Sequence, residues 1–365
     1  MRFSISKNDL VNALTIVSKG RSGRSTLTIL SGIYVQVLAG SIVLRATDLE
    51  ISVTHQTEAL VQEEGETVVP GKHFLDIVKS LPDAAIECYT QGSLFNIVCM
   101  NSKFSLGTME AQDFPAFPAV AINSQVSLES STLSTMVKKV SKAVARDESH
   151  LVLTGINMTI ESGSLKMVAT DSYRLAVAEA QVDQSIEDFS LLIPGSTFDE
   201  ICKLIPAGEI LTIGYSDNQI VFSFGSSTFI TRRLEGNYPN YKQIIPSEKT
   251  ITAIINNKEL SDAIKRASLV VQEYKQVRLL FSVEEQKLTI SSKAADFGGA
   301  VETLEANIEG EDIEIGFNFQ YVMDGLSAMD TENVIFEASK PLRPGVFRAD
   351  GGDNFFYLSM PVKLA

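Results

Sequence analysis

The chain has 365 residues, 44% of them hydrophobic, and a formal net charge of -14; this is enough apolar material for several cores, yet no run approaches the roughly 18 consecutive apolar residues of a membrane span. The acidic balance argues against a protein that grips phosphate backbones with a general basic surface. Cys88, Cys99 and Cys202 have no metal-like spacing and Met1-Arg2-Phe3-Ser4 lacks the apolar core of a secretory signal, so reduced thiols and a cytoplasmic location are expected.

From the N-terminus, Phe3-Ser4-Ile5 is a short alternating strand, followed by a helix over Lys7 to Lys19 with Leu10, Ala13, Leu14 and Val17 on one face and Ser6 as its cap. Alternating runs from Ile33 to Leu44 turn at Ala39-Gly40 and lead to Ala46-Thr47-Asp48-Leu49-Glu50-Ile51-Ser52-Val53. Thr67-Val68-Val69-Pro70 is a strand entering a helix over Gly71 to Leu81, and Ile86 to Met109 holds another pair of strands, closing on Asp113-Phe114-Pro115.

The same four blocks then return. Val126-Ser127-Leu128 precedes a helix over Ser131 to Ala145, with Leu133, Met136, Val137, Val140 and Val144 on its apolar face and Ser130 or Ser131 as cap. Ile156 to Val168, turning at Gly163, runs into Ala169-Thr170-Asp171-Ser172-Tyr173-Arg174-Leu175-Ala176-Val177. Leu191-Leu192-Ile193-Pro194 enters a helix over Gly195 to Ile205, and Leu211 to Arg232 closes on Asn237-Tyr238-Pro239. In the third round Thr252-Ala253-Ile254 precedes a helix over Asn257 to Val271; Val277 to Ser292 alternates at Leu279, Phe281, Leu288 and Ile290; Glu314-Ile315-Gly316 enters a helix over Phe317 to Met329; and Val334 to Met360 is the last strand pair. The landmarks recur at roughly 120 residues, too far apart for a solenoid and right for a small domain. The block order is β-α-β-β-β, then α-β-β-β. The fold class is therefore α+β: three repeated domains over 1–121, 122–248 and 249–365, each with two helices packed on antiparallel sheet.

Charge is unevenly placed along this repeat. Lys138, Lys142 and Arg146 fall at i, i+4 and i+8 on one helix, with Lys139 beside them; Lys7, Lys19, Arg21 and Arg24 lie on or after the first helix, Lys72, His73 and Lys79 on the second, and Lys258, Lys265 and Arg266 on the fifth. The helix over Phe317 to Met329 carries no Lys or Arg and has Asp324. Acidic residues gather in strands and connectors, at Glu63-Glu64, Glu284-Glu285 and Glu309-Gly310-Glu311-Asp312. For any single helix the plainer reading is a solvated face; five basic helices together favour a basic helical face and an acidic sheet face.

No catalytic constellation is visible. His55, His73 and His150 lie far apart, and no Walker loop or Gly-x-Gly-x-x-Gly run is present. Asp48 and Asp171 occupy equivalent positions and would suit paired catalytic carboxylates. Turn capping through backbone N–H groups is the favoured alternative, because the third round has Ala294-Ala295-Asp296 there instead. Nothing calls for a nucleophile, a metal or a cofactor.

Thr26-Leu27-Thr28-Ile29-Leu30, Ala46-Thr47-Asp48-Leu49-Glu50, Val168-Ala169-Thr170-Asp171-x-x-Arg174-Leu175-Ala176, Tyr238-Pro239-x-Tyr241 and Tyr357-Leu358-Ser359-Met360-Pro361-Val362-Lys363-Leu364, in this order and spacing over the full length, resemble the bacterial sliding clamp family, the β subunit of the replicative DNA polymerase III. The resemblance implies a head-to-tail homodimer, a six-domain ring with helices lining its hole and strands forming its outer sheet. Such a ring holds duplex DNA by topology, without sequence preference, and needs no high affinity. It implies a processivity factor without catalysis or cofactor, tethering the polymerase catalytic subunit, the clamp loader and other polymerases and repair proteins through short peptides rich in Gln, Leu and Phe, with no membrane partner.

The resemblance also assigns residues. Arg24, Lys72, Lys103 and Arg146 would face DNA, with Lys138 and Lys142 on the same basic helix; Lys203 would compensate for Pro194-Gly195-Ser196, where family members often carry Arg or Lys. Leu153, Thr170, Ser172, Tyr173, Arg174, Leu175, Pro239, Gln243, Ile244, Arg343, Pro344, Leu358, Ser359, Met360, Pro361 and Val362 would surround one peptide groove. In it Leu175, Ile244, Leu358 and Met360 form the pocket, and Arg174 with Ser172 orients the peptide. The apolar tail Leu358-Ser359-Met360-Pro361 has to pack on something in any case. His73, Phe104, Leu106, Leu269 and Val270 would form the dimer seam. The other classes kept open are a hydrolase using Asp48 and Asp171, which lacks a base, metal or phosphate motif, and a purely structural scaffold, which leaves the basic helices without a purpose.

Overall fold

The elements follow the hydrophobic periodicities closely. In the computed structural model, which describes residues 1–21, 27–271, 275–294, 298–351 and 354–364, the first third of the chain runs β1 (Arg2–Ser6), α1 (Lys7–Val17), β2 (Gly32–Leu38), β3 (Ser41–Thr47), β4 (Ile51–Glu58), β5 (Leu60–Glu63), β6 (Gly65–Pro70), α2 (Gly71–Ser80), β7 (Ala85–Gln91), β8 (Leu94–Cys99) and β9 (Ser102–Gly107). The middle runs β10 (Ser124–Glu129), α3 (Ser130–Val140), β11 (Gly155–Glu161), β12 (Ser164–Thr170), β13 (Arg174–Gln181), β14 (Phe189–Pro194), α4 (Gly195–Leu204), β15 (Ile210–Tyr215), β16 (Gln219–Phe224) and β17 (Ser227–Arg232). The last third runs β18 (Ile251–Asn256), α5 (Asn257–Ser268), β19 (Gln276–Ser282), β20 (Lys287–Ala294), β21 (Gly298–Glu305), β22 (Asn307–Gly310), β23 (Ile313–Asn318), α6 (Phe319–Leu326), β24 (Asn333–Ala338), β25 (Gly345–Ala349) and β26 (Phe355–Ser359). Each round thus holds more strands than the block reading: the Thr-Asp turn feeds a strand of its own in the first two, β4 and β13, β21 follows in the third, and the first and third rounds add the short strands β5 and β22.

Local chemistry sets the helix ends. Ser6 caps α1, its Oγ accepting from the Asp9 N–H at 3.1 Å. Asn256 and Asn318 cap α5 and α6 in the same way. The helix expected over Ser131 to Ala145 stops at Val140, and Ser141–Ala143 is a 3-10 turn. The Ala145 N–H leaves the helical ladder to donate to the Leu153 carbonyl at 2.8 Å. Lys138, Lys142 and Arg146 therefore do not share one helix face: the first lies on α3, the second on the 3-10 turn and the third beyond it. Phe317, expected to open the last helix, stays in β23 and is fully buried.

Two compact units form, and they cut across the sequence repeat. One holds Met1–Ser130 with Leu204–Arg233, the other Ser131–Lys203 with Leu234–Ala365. The first contains a five-stranded sheet, β5-β1-β7-β8-β9, and an eight-stranded sheet, β10-β15-β16-β17-β4-β3-β2-β6. The second contains a nine-stranded sheet, β14-β11-β12-β13-β26-β25-β24-β18-β22, and a four-stranded sheet, β21-β20-β19-β23. Each large sheet joins two rounds of the repeat through one antiparallel pair, β4 with β17 and β13 with β26. This pairing hides edges that would otherwise template aggregation.

The two joints differ in chemistry. The β13–β26 joint sets Leu175 opposite Leu358 and Val177 opposite Phe356. The β4–β17 joint also has an apolar pair, Val53 with Phe229, but sets Thr54 opposite Thr228 and His55 opposite Ser227. His55 is buried, with Nδ1 2.8 Å from the Ser227 hydroxyl, and burial pushes its pKa below the ordinary histidine value of 6.5. Unfolded His55 protonates near about pH 6.5 while the folded side chain resists. The unfolded chain then binds the extra proton, so stability is complete above that pH and falls as the pH drops through the window between the two values. Urea unfolding between about pH 7 and 5 should show a steeper loss for the parent protein than for His55→Gln; equal slopes would exclude His55 as the source.

Candidate functional site

The two Thr-Asp turns are built alike, as a repeat requires. In the first, Thr47 Oγ1 donates to the Ile51 carbonyl at 3.0 Å and accepts from the Leu49 N–H, while Asp48 Oδ1 accepts from the N–H groups of Glu50 and Ile51 at 3.0 and 2.7 Å. In the second, Thr170 Oγ1 donates to the Arg174 carbonyl at 2.6 Å and accepts from the Ser172 N–H, while Asp171 Oδ1 accepts from those of Tyr173 and Arg174 at 3.0 and 3.1 Å. Leu49 and Ser172 sit at the same left-handed φ, 78° and 76°, a conformation these bonds must hold against its cost. The aspartates are turn caps, the reading favoured over an acid–base pair.

The second turn has an addition. The Arg174 guanidinium reaches Asp171 Oδ2 through Nε at 2.9 Å and Asp324 Oδ2 on α6 through Nη1 at 2.5 Å, and lies 3.4 Å from the Tyr357 hydroxyl on β26. It stacks on the Tyr321 ring, 4.4 Å from the centroid, and Tyr173 stacks on Tyr321 in turn. Burial works against the Arg174 charge, but Tyr357, Asp324 and Asp171 more than offset it and hold its pKa above the usual arginine value. Burial also raises the Tyr357 phenol, so at neutral pH it is an uncharged partner and the two carboxylates balance the guanidinium. With only 6% of its surface exposed, Arg174 is spent inside the protein. The resemblance gives Arg174, with Ser172, the role of orienting a peptide; here its guanidinium is bonded to Asp171, Asp324 and Tyr357.

This contrast gives a stability test. Asp48→Ala removes a cap and should cost about 1 kcal/mol. Asp171→Ala removes the same cap and half the counter-charge of a buried guanidinium, and should cost roughly 2–3 kcal/mol. Equal unfolding midpoints for the two variants would rule out a structural role for the Asp171–Arg174 pair.

Beside this turn lies an apolar floor. Val168, Leu175, Val177, Val346 and Leu358 form one buried cluster, covered by the half-buried Tyr238, Tyr241, Ile245, Phe356 and Met360. Leu175 and Leu358 have no exposed surface and lie within this cluster. Ile244 ends the 3-10 turn Tyr241–Ile244 and is 43% exposed, and Pro239 and Gln243 on the same segment are exposed. The tail runs on past β26: the Met360 N–H donates to the Tyr173 carbonyl and that of Val362 to the Gly316 carbonyl, each at 2.8 Å. A side chain at Gly316 would strike the Val362 oxygen at 2.9 Å, which is why glycine stands there. Met360, Pro361 and Val362 are half-buried along this path, and Ser172 and Tyr173 are exposed at its start. Ser359 is fully buried, and Pro344, with the exposed Arg343 before it, precedes the Gly345 that pairs with Ser359. Leu153 is buried but lies outside the cluster.

Tyr321, Asp324, Ile245 and Phe356 were missed by the sequence reading. Only Asp324 carried a signal, as an acidic residue on the one helix without Lys or Arg.

The remaining candidates are spread more widely. Lys72 and His73 are exposed on the first turn of α2. Lys138, Lys142 and Arg146 are exposed, with Lys142 Nζ donating to Ser327 Oγ at 2.6 Å and standing 3.9 Å from Asp324. Lys203, on the last turn of α4, pairs with Asp199. Lys103 is on strand β9 and not on a helix, its Nζ 5.9 Å from the centroid of the Tyr89 ring. Arg24 lies outside the described residues, as does Asp296. Phe104 and Leu106 alternate on β9, the edge of its sheet, with Phe104 38% exposed. Leu269, just past α5, is 70% exposed and Val270 half-buried.

Among the described residues no group of His, Cys, Asp or Glu could hold a metal ion, and no helix is long and apolar enough to cross a membrane. Family models for the N-terminal, central and C-terminal domains of the DNA polymerase III beta subunit match residues 1–118, 127–240 and 242–363. The beta sliding clamps of Staphylococcus epidermidis and Staphylococcus aureus are each 31% identical over 374 residues, covering 100% of this chain and 99% of the relative. The crystal structure of the DNA polymerase sliding clamp from Bacillus subtilis matches with a TM-score of 0.92 at 29% identity, covering 100% of both chains. That of a sliding clamp from Pseudomonas aeruginosa bound to griselimycin matches with a TM-score of 0.92 at 27% identity, again over 100% of both. Triple repeat, capped turns, the joining strand pairs and these full-length matches agree, and the chain belongs to the bacterial DNA polymerase III β subunit family, the beta sliding clamps.

Proposed function

We propose that two copies of this chain close head to tail into a six-domain ring around duplex DNA, with β9 of one copy against β21 of the other, and that partner peptides enter the groove beside Arg174. Membership of the family makes the chain a non-catalytic processivity factor, a DNA sliding clamp. The observation that carries the ring is a pair of open edges. β9 and β21 each end a sheet and expose apolar side chains, Phe104 at 38% and Val301 at 72%. Within the chain, edges of this kind are closed by β4–β17 and β13–β26, and a third pairing of the same type between chains would close two more. His73, Phe104 and Leu106 would meet Leu269 and Val270 across that seam. The domains would be 1–121, 122–248 and 249–365, with two helices of each facing the hole.

Lys72, Lys138, Lys142, Arg146 and Lys203, together with Arg24 and Lys103, would make loose phosphate contacts without reading bases. A ring needs no more, which reconciles DNA retention with a net charge of -14. The peptide partners would be the polymerase catalytic subunit, the clamp loader and other polymerases and repair proteins in the cytoplasm. Loaded onto nicked circular DNA, the protein should stay bound and be shed when the circle is cut; equal retention on linear DNA with free ends would overturn the ring. Reversing Lys72, Lys138 and Arg146 to Glu should weaken loading at low salt, with the deficit shrinking as salt rises, and should leave peptide binding intact.

A further inference from the structure

We propose that Asp324 is a positioning residue for the peptide groove, and that it couples the groove to the basic surface because Arg174 and Lys142 share its carboxylate. This rests on the groove and DNA-facing roles proposed above. Asp324 Oδ2 takes the Arg174 guanidinium at 2.5 Å, while Oδ1 faces Gln320 Nε2 at 3.3 Å and Lys142 Nζ at 3.9 Å. Lys142 is held in this position by its bond to Ser327 Oγ at 2.6 Å, and the same hydroxyl donates to the Asp324 carbonyl at 2.9 Å. Two cations thus converge on one carboxylate that is 17% exposed.

From Asp324 the contacts run to the groove without a gap. Arg174 is tied to the turn through its N–H to Asp171 and its carbonyl to Thr170, and it pairs with Ser359 on β26. The turn carries Tyr173, whose carbonyl holds the Met360 N–H and whose ring stacks on Tyr321 of α6. In the other direction, Lys142 is 45% exposed, between exposed Lys138 and Arg146. A phosphate that draws Lys142 away leaves Asp324 to Arg174 and Gln320. The Arg174–Asp324 pair then strengthens, the turn and the Met360 wall are held more firmly, and a peptide pays less ordering entropy on binding. By linkage, bound peptide raises the affinity of this surface for DNA by the same factor. The Lys142–Asp324 contact is half-exposed and long, so the coupling is modest, a few-fold.

The test is fluorescence anisotropy on the full-length protein, with a labelled peptide rich in Gln, Leu and Phe, with and without a short duplex. Asp324→Asn should weaken peptide binding about tenfold, equivalent to about 1.4 kcal/mol, with Asp324→Glu restoring part of it. Lys142→Gln should tighten peptide binding a few-fold without DNA and abolish the further gain that duplex gives the parent protein, a readout that a merely structural role for Asp324 would not move. Urea unfolding of each variant identifies any loss due to misfolding, and Lys142→Gln, at an exposed position, keeps the coupling testable if Asp324→Asn misfolds. If Met360→Ala weakens binding while Asp324→Asn, correctly folded, does not, Asp324 has no positioning role and the groove stands. If Lys142→Gln retains the full response to duplex, the coupling is wrong; if neither Met360→Ala nor Asp324→Asn matters, the groove itself is misplaced.

Discussion

Replacing Leu269 and Val270 together with alanine is expected to convert the proposed dimer to monomers. Leu269 is 70% exposed in the single chain, so truncating it leaves no cavity in the fold and any effect appears in association. A central apolar anchor contributes about 2 kcal/mol or more to an interface, and two of them about 4 kcal/mol, close to a thousandfold in the dissociation constant. Phe104→Ala on the opposing β9 edge should weaken the dimer in the same direction, and its combination with Leu269→Ala should be less than additive if the two side chains touch across the seam. Sedimentation velocity at nanomolar concentration decides it: a dimer that persists in the Leu269→Ala, Val270→Ala variant places the seam elsewhere.

The second large effect is expected at the groove, and the structure changes which residues should test it. Leu175 and Leu358 are wholly buried; truncating either would cost roughly 2–5 kcal/mol of folding stability and blur folding with binding. Ile244, 43% exposed, and the half-buried Met360 are among the apolar groups a peptide in the proposed groove would reach. A peptide that buries a few apolar side chains in such a pocket should bind in the micromolar range after ordering costs. Ile244→Ala and Met360→Ala should each weaken it about tenfold, near 1.4 kcal/mol, with both unfolding midpoints close to the parent's. Anisotropy that is indistinguishable between the parent and the double variant would remove this groove as the peptide site.

Much of this was legible in one dimension. Alternation and helical spacing marked the elements, the threefold recurrence marked the domains, and the position of Asp48 and Asp171 after a strand was enough to favour turn caps. What could not be read depends on partners remote in the chain. The counter-ion of Arg174 could not be named from the sequence, because Asp324 lies 150 residues away. The sequence spacing continues the helix through Lys142, but α3 gives way to a 3-10 turn after Val140, and the Ala145 N–H goes to Leu153, outside any helical window. Ile245 and Ile244 are equally apolar, and only the bend of the Tyr241–Ile244 turn decides which one faces inward. The two joints could not be read either, since β4 meets β17 and β13 meets β26 only in the fold.

Those two joints have a consequence for how the chain is made. His55 and Ser227, bonded across the first, are 172 residues apart, and Arg174 and Tyr357, bonded across the second, are 183 apart. During synthesis β4 and β13 must therefore wait with one edge bare while more than an average domain's worth of polypeptide is added and folded. Pairings this distant close slowly, and a waiting strand edge is an invitation to the wrong neighbour. Folding yield, more than final stability, should be what chaperones and growth temperature control for this protein. A truncated chain ending before β17 or β26 should precipitate where the full chain does not.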